Sequence, residues 1–227
     1  MVKGRTSDVD VWFARETPRI REALESASRY FDSSDSLTVN TLEAVYGQES
    51  SFGTILGTRG SASAAGHFQF IPETAKRYGL SVSKHNDQRF DIDYAASAAA
   101  RYLKDLDTMF SKRTTLSRQR ETITVASASE RKQFVLGAFN AGEGRIARAQ
   151  RLAAQAGKDP QLWSDVAAYL AEETRRYVET VPRDELEFAQ KSPADNSRKE
   201  NGVRNGQYRC TEGHWVTIDE RPVFICD

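Results

Sequence analysis

The sequence predicts a mainly α-helical fold that carries a small β appendage at its C-terminal end. Apolar residues recur at three- and four-residue spacing along most of residues 1–182, and capping residues, glycine or proline bound each run. The pattern then changes to three short β-branched and aromatic runs, QYRCT, HWVTID and PVFIC, separated by EG and ERP. We therefore expect a helical domain at 1–182, a charged linker at 183–206 and a small antiparallel meander at 207–227.

Capping and breaking signals predict the order of the helices. The first covers residues 1–31, with Ser7 or Asp8 as N-cap and a kink or break at Pro18, and a second begins near Thr38. The clearest is a long helix capped by Asp91, because its apolar and alanine residues form one continuous stripe. The other predicted helices are IPETAKRYGL (71–80), the helix after the SASE motif (127–130), one closed by Gly157, and one running from Pro160 to Pro182.

The composition excludes several classes of partner. Of 227 residues, 39% are hydrophobic and 28% charged, which is typical of a globular protein and not of a disordered one. Lys+Arg and Asp+Glu number 32 each, so the chain lacks the positive charge that would indicate nucleic-acid binding or attraction to anionic lipid. No apolar run is long enough to predict an integral membrane segment.

The second predicted helix contains a glutamate where an apolar residue is expected. Leu42, Val45 and Tyr46 form its apolar face, and Glu49 is the next position on that face. The helix ends just after Glu49, and residues 54–66 beyond it are small and could form the wall of a cleft. Burial at a cleft raises the pKa of a carboxyl, which can then donate a proton near neutral pH, as glycoside cleavage requires. The alternative is that Glu49 lies at the edge of the stripe and pairs with an arginine.

Three blocks carry a family resemblance, in the order AVYGQESSFG (44–53), SAAGHFQFIPETAKRYGL (63–80) and AFNAGEGRI (138–146). They resemble the signature blocks of the lytic transglycosylases, the soluble and membrane-bound murein transglycosylases that share a lysozyme-like fold with goose-type lysozyme. Residues 148–166 further resemble the F-type membrane-bound branch. The resemblance covers residues 35–182 and implies a lysozyme-like helical catalytic domain; it does not cover the cysteine-bearing tail.

The resemblance also implies roles for individual residues. Glu49 matches the catalytic acid/base of the family. The implied substrate-binding residues are Ser50, His67, Phe68, Gln69, Phe139, Asn140, Glu173 and Tyr177. Phe139 stands where the family often has tyrosine, and His67-Phe68 replaces the usual Leu-Met, so the sugar platform is expected to differ. For each of these residues the alternative is packing within the fold.

The number of carboxylates bears on the mechanism. Hydrolytic glycosidases generally use two, whereas residues 50–72 contain no Asp or Glu. This favours a cyclising reaction on peptidoglycan glycan strands, in which Glu49 acts as acid and then as base and a 1,6-anhydro end forms. No metal and no cofactor are expected, and a monomer is expected. The alternatives are a hydrolytic muramidase that recruits Glu173 or Glu143, a non-catalytic cell-wall-binding protein, and a helical interaction module.

The two cysteines, Cys210 and Cys226, lie on the first and last strands of the predicted meander. A disulfide stapling this small segment is expected; two free thiols, or a zinc site with His214, are the alternatives. Murein lies outside the cytoplasm, where disulfides form, so we expect a periplasmic or secreted protein. The start of the sequence lacks the features of a signal peptide, which favours a mature chain with a supplied Met1 over another export route.

Overall fold

The computed structural model describes residues 7–191 except 59, 61, 118 and 119, together with the backbone of residues 213–218 and 221–226. The chain divides into two compact units, Met1–Lys191 and Ser192–Asp227. The first unit is built from helices, which confirms the predicted mainly α class. Among the helices described, none combines the length and the apolar character needed to cross a membrane.

The described part of the first unit contains nine α-helices and two 3₁₀ turns. The α-helices are α1 (Asp8–Phe13), α2 (Pro18–Ser28), α3 (Val39–Ser50), α4 (Pro72–Arg77), α5 (Ile92–Ser111), α6 (Ala128–Ala141), α7 (Glu143–Gln155), α8 (Trp163–Val166) and α9 (Glu172–Lys191). The 3₁₀ turns cover Gln88–Phe90 and Ala167–Tyr169. The second unit contains β1 (Gly213–Ile218) and β2 (Arg221–Cys226).

Helix α3 is the central element of the first unit. Every residue from 41 to 47 is buried, and α3 packs mainly against α9 and also against α2. The Tyr46 ring packs on those of Phe52 and Phe68, with centroids 4.7 and 5.3 Å away. On the α9 side, the Phe188 ring stacks on Trp12 of α1 at 6.4 Å and on Phe52 at 5.7 Å. The end of α3 is therefore held by aromatic side chains from several parts of the chain.

A glycine allows α1 to lie close against α3. A Cβ atom at Gly47 would fall 2.3 Å from the indole ring of Trp12, closer than any real contact. The flat Trp12 ring thus occupies the space that a side chain at position 47 would need. Ser7 caps α1, as predicted, by accepting a hydrogen bond from the backbone N–H of Asp10.

The predicted break at Pro18 is confirmed. The described part of this segment, residues 7–31, forms two helices, and Thr17 caps α2 with Pro18 at its first position. Proline suits this position because the N–H that it lacks would have no partner within the first turn. Thr38 caps α3 and Asp91 caps α5, in agreement with the sequence.

The predicted end of the last helix at Pro182 is wrong. Helix α9 continues through Pro182 to Lys191, so residues 183–191 are helical and do not belong to a linker. Asp184 accepts a hydrogen bond from Gln48 Nε2 at 2.7 Å, and Phe188 is only 1% exposed. These contacts with the core offset the backbone hydrogen bond that Pro182 cannot donate. The segment from Pro160 is also divided, into α8, a 3₁₀ turn and α9.

The described part of the second unit is an antiparallel hairpin. Strands β1 and β2 pair with Trp215 opposite Phe224 and Gly213 opposite Cys226. The first strand of the predicted meander (207–211), the rest of the predicted linker (192–206) and Cys210 all lie outside the described residues. The predicted disulfide lies outside them for the same reason.

Candidate active site

Glu49 lies in the last turn of α3 and is half-buried. The hydroxyl group of Tyr177, from the middle of α9, donates a hydrogen bond to Glu49 Oε1 at 2.8 Å. Tyr177 itself is 8% exposed. Burial raises the pKa of the Tyr177 phenol well above its ordinary value, and the negative charge of Glu49 raises it further. Tyr177 therefore remains protonated near neutral pH and acts as a hydrogen-bond donor.

The chain turns sharply immediately after Glu49. Ser51, Phe52 and Gly53 have φ angles of 49°, 57° and 78°, which is the left-handed region. A Cβ atom at Gly53 would lie 2.4 Å from the Tyr46 hydroxyl, so glycine is required there for space as well as for φ. Consecutive left-handed residues are costly and persist only where surrounding packing holds them.

Ser50 belongs to this turn and not to the cleft surface. Its hydroxyl group donates to the Tyr46 carbonyl at 3.2 Å and accepts from the Gly53 N–H at 3.0 Å. Ser50 is completely buried. Both hydrogen bonds of the buried Ser50 stabilise the helix end, and the predicted contact of Ser50 with the sugar stays a prediction.

An open cleft of about 560 Å³ lies beside Glu49. It brings together four of the predicted site residues, Glu49, Asn140, Glu173 and Tyr177. The other residues that line it are Gln48, Glu172, Arg176 and Thr180. Glu172 is paired with Arg176 one turn along α9, whereas Glu173 is exposed to the cleft. A saccharide in this cleft would meet the carboxyl group of Glu49 and the amide of Asn140.

Thr174 determines the orientation of Asn140. Its hydroxyl group donates to Asn140 Oδ1 at 2.8 Å, which leaves the amide N–H₂ directed away from that bond. Thr174 is 4% exposed, so the hydrogen bond is shielded from water. Sequence reasoning missed Thr174, because no local pattern links a threonine on α9 to an asparagine on α6.

Two predicted sugar-binding aromatics belong to the core. Phe68 is 1% exposed and packs on Tyr46, so its ring has a packing role in this structure, and its part in a sugar platform stays a prediction. Phe139 is half-buried, and its ring packs against Tyr102 at 5.3 Å and Phe70 at 6.0 Å. A phenylalanine suits this apolar position because it needs no hydrogen-bond partner.

His67 and Gln69 hold the loop that follows the left-handed turn. The Nδ1 atom of His67 is 2.9 Å from the Tyr46 hydroxyl, and burial lowers the pKa of His67. The neutral imidazole can accept a hydrogen bond from the Tyr46 hydroxyl group at Nδ1. Gln69 has a φ of 46° and donates from Nε2 to the Gly66 carbonyl at 3.0 Å. Its Oε1 is buried without a hydrogen-bond partner among the described residues.

Glu143, one of the two alternative carboxylates, is already paired. It accepts hydrogen bonds from Arg77 Nη1 at 2.9 Å and from the Tyr102 hydroxyl at 3.1 Å. Burial alone would raise its pKa, but the hydrogen bond from its own backbone N–H and the contact with Arg77 hold the pKa of Glu143 below its ordinary value. Glu143 is thus a poor general base, which leaves Glu173 as the other alternative carboxylate, and Glu173 lines the cleft.

Comparison with known proteins identifies similar sequences. Residues 28–162, more than half of the chain, match the model of the family described as Transglycosylase SLT domain. The chain is 33% identical over 117 residues to the membrane-bound lytic murein transglycosylase D of Escherichia coli K12, and equally to the protein of the same name in E. coli O6:H1. These matches cover 52% of the chain but 21% of each relative, so the chain spans about a fifth of the length of the curated relatives it matches.

Proposed function

The chain belongs to the transglycosylase SLT domain family, and on that premise we propose that it cleaves the β-1,4 bond between MurNAc and GlcNAc in peptidoglycan. The observation that carries the proposal is the half-buried carboxyl of Glu49 at an open cleft, with the Tyr177 hydroxyl 2.8 Å from Oε1. The names of the relatives, lytic murein transglycosylases, agree with this substrate. In this proposal the helical unit has the lysozyme-like architecture that the resemblance implies.

The proposed reaction uses Glu49 twice. Protonated Glu49 first gives its proton to the glycosidic oxygen, and the bond between that oxygen and the anomeric carbon of MurNAc breaks. The N-acetyl group of MurNAc stabilises the positive charge that develops at the anomeric carbon. Ionised Glu49 then removes the proton from the C6 hydroxyl, whose oxygen bonds to the anomeric carbon and forms a 1,6-anhydro end. The catalyst returns to its protonated state and no water is consumed.

Two neighbouring residues assist the two proton transfers. Tyr177 donates to the Glu49 carboxylate, which stabilises the charged form between the two proton transfers. Asn140, oriented by Thr174, is suited to hold a sugar hydroxyl or the N-acetyl carbonyl through its amide N–H₂. In this proposal Glu49 transfers the protons, and Tyr177 and Asn140 position the groups that react.

A hydrolytic muramidase is the second candidate, and one observation favours it. Glu173 lines the same cleft and is exposed, so it could activate a water molecule as general base. The product would then be a reducing MurNAc end, heavier by one water than the anhydro product.

Digestion of purified murein, followed by mass spectrometry of the fragments, tests the proposal. We expect products lighter by one water than the hydrolytic fragments, and we expect Glu49→Gln to lose activity at least about 100-fold with an unchanged circular dichroism spectrum. Glu22→Gln, at an exposed position of α2, is the matched control and should retain full activity. Full activity of Glu49→Gln would remove Glu49 from its role. Binding to walls without any released fragment would make this a wall-binding protein.

The proposal also covers the cellular location of the protein and the cysteine-bearing C-terminal segment. A murein substrate places the working protein in the periplasm or outside the cell, where the predicted bond between Cys210 and Cys226 could form. That disulfide would staple residues 207–227 as a small β appendage joined to the helical domain by a linker. "Membrane-bound" describes the relatives and is not proposed for this chain.

A further inference from the structure

Three concavities lie side by side on the helical unit. The first is the cleft of Glu49; the second, about 380 Å³, shares Asn140 and Glu173 with it. The third, about 640 Å³, shares Arg148 with the second. Because they share lining residues, the three concavities adjoin one another. The Glu49 cleft lies at one end of the row and the third concavity at the other. A polymer bound at Glu49 can therefore extend past Asn140 toward Arg148.

Arginines dominate the far end of this series. Arg145, Arg148 and Arg151 follow one another at three-residue intervals on α7, so they form one stripe about 9 Å long. Arg148 and Arg151 line the third concavity together with Arg120 and Arg113. Among the described residues that line it, one carries a carboxylate, Glu121, and Arg113 is already paired with it.

The remaining guanidinium groups of the third concavity have no acidic partner within the described part of the chain. Arg120, Arg148 and Arg151 make no ion pair with any residue that the structure describes. Arg148 and Arg151 are exposed. Three positive charges are thus directed at one open concavity, although the chain as a whole is neutral.

The position of Arg120 depends on a glycine. Arg120 Nη1 donates to the Gly144 carbonyl at 3.4 Å, and a Cβ atom at position 144 would fall 2.8 Å from the same nitrogen. The guanidinium therefore occupies the space of the missing side chain at the start of α7. This contact brings a residue of the 112–127 loop beside the arginines of α7.

We propose that the concavity lined by Arg120, Arg148 and Arg151 binds the free carboxylates of the peptide stems of murein. The inference rests on the proposed function, since it assigns one end of a murein strand to the Glu49 cleft. Guanidinium groups bind carboxylates through paired, charge-assisted hydrogen bonds. The sugars at the cleft carry peptides that end in carboxylates, whereas the cleft itself is acidic, with Glu172 and Glu173 against Arg176 even when Glu49 is protonated. An anionic stem is therefore repelled by the cleft and attracted toward α7.

Co-sedimentation with murein sacculi free of wall phosphate polymers tests this proposal. The full chain is mixed on ice with native sacculi, with sacculi whose stem carboxylates have been amidated, or with sacculi stripped of peptide by an amidase. We expect wild-type protein to bind native sacculi about tenfold more tightly than amidated ones. The double variant Arg148→Gln/Arg151→Gln should bind native sacculi about tenfold more weakly than wild type and bind stripped glycan equally well.

The matched control removes the same charge elsewhere. Arg29→Gln/Lys76→Gln changes two exposed residues, the C-cap of α2 and a residue of α4, and should bind native sacculi as wild type does. Equal binding of wild type to native and amidated sacculi would overturn the proposal, whether or not the double variant folds. An equal loss by a folded double variant on native and stripped sacculi would assign the arginines to the glycan and would also overturn it.

Cleavage is measured separately at working temperature, so that the two hypotheses fail differently. If wild type releases no fragments from any sacculi but binds native ones in preference to amidated ones, the enzymatic proposal fails and the stem site stands. If wild type releases fragments, while neither amidation of the sacculi nor the arginine substitutions weaken binding, the enzymatic proposal stands and the stem site fails.

Discussion

Two glutamates of α3 have different environments. Glu49 is half-buried beside the cleft, whereas Glu43 is only 5% exposed and its Oε2 has no hydrogen-bond partner among the described residues. Burial raises the pKa of Glu43 to about 8, the negative charges of Glu16 and Glu25 add to the effect, and Arg21 opposes it. The apolar stripe of α3 points to Glu49 but gives no sign of Glu43. A stripe implies that one side of a helix faces the core, whereas α3 is buried all round, so a position off the stripe is buried as well.

The raised pKa of Glu43 makes stability depend on pH. Between its ordinary value of 4.5 and about 8 the folded chain keeps a proton that the unfolded chain has released. Unfolding therefore becomes easier as pH rises through this window, by up to about 1.4 kcal/mol per pH unit from this group. We expect Glu43→Gln to flatten the decline in the free energy of unfolding, measured by urea denaturation at several pH values from 4.5 to 8. The exposed Glu22→Gln should keep the wild-type slope, and an unchanged slope in Glu43→Gln would contradict the assignment.

Tyr177 contacts Glu49, and we propose that it acts on the reaction through this contact. Its ring is buried, and its hydroxyl is directed at Glu49 Oε1. We expect Tyr177→Phe to lower kcat about tenfold with little change in KM, because a donor to the charged carboxylate is lost. The alkaline side of the pH–activity profile should move to higher pH, because the charged form of Glu49 is less stabilised and Glu49 keeps the proton that the first step needs up to a higher pH. Tyr94→Phe, at a 52% exposed position, is the control. A Tyr177→Phe variant with raised KM and unchanged kcat and pH profile would instead indicate a contact with substrate.

At the scale of elements, the C-terminal half of α9 completes the core around α3. Phe188 stacks on Trp12 and Phe52, which ties α9 to α1 and to the turn after Glu49. Glu185 accepts from the Thr41 hydroxyl at 2.8 Å and pairs with Lys132 Nζ at 2.6 Å. The segment that local composition marks as a linker therefore supports the helix that carries Glu49.

Truncation separates the two possible boundaries of the helical unit. A chain ending at residue 191 keeps all of these contacts, so we expect its thermal midpoint to stay close to that of the full chain. A chain ending at residue 182 loses the buried Phe188, worth about 3–5 kcal/mol, and with it the ion pair of Glu185. We expect its midpoint to fall by about 10 °C or more, as followed by circular dichroism. Equal midpoints for the two truncated chains would show that residues 183–191 do not contribute to the core.

At the scale of the whole molecule, the net charge is balanced but the charges are unevenly distributed over the surface. The chain has 32 acidic and 32 basic residues, which indicates no preferred partner. Folding separates them, with carboxylates around the Glu49 cleft and arginines around the third concavity. A count along the sequence cannot reveal this arrangement, because the lining residues come from separate parts of the chain, among them α3, α7, α9 and the 112–127 loop. Local charge at a concavity influences ligand binding more than net charge does.

The helices were predictable because their signals are local. Thr38, Asp91 and Ser127 cap the helices that they precede, and the break at Pro18 follows from the geometry of proline alone. The end of α9 was not predictable in this way. Local propensity argues for a stop at Pro182, and only packing against α3 overrides it.

The sequence by itself determined the helical class, the order of the three signature blocks and a glutamate at the end of a helix, since each of these depends on neighbouring residues. The tertiary structure alone decided that Tyr177 reaches Glu49, that Thr174 orients Asn140, and that Phe68 and Ser50 are buried in the core. The physical reason is that capping and periodicity act over about one turn of chain, whereas a site is assembled from side chains on different helices. Which of them meet depends on how those helices pack, and no short stretch of sequence contains that information.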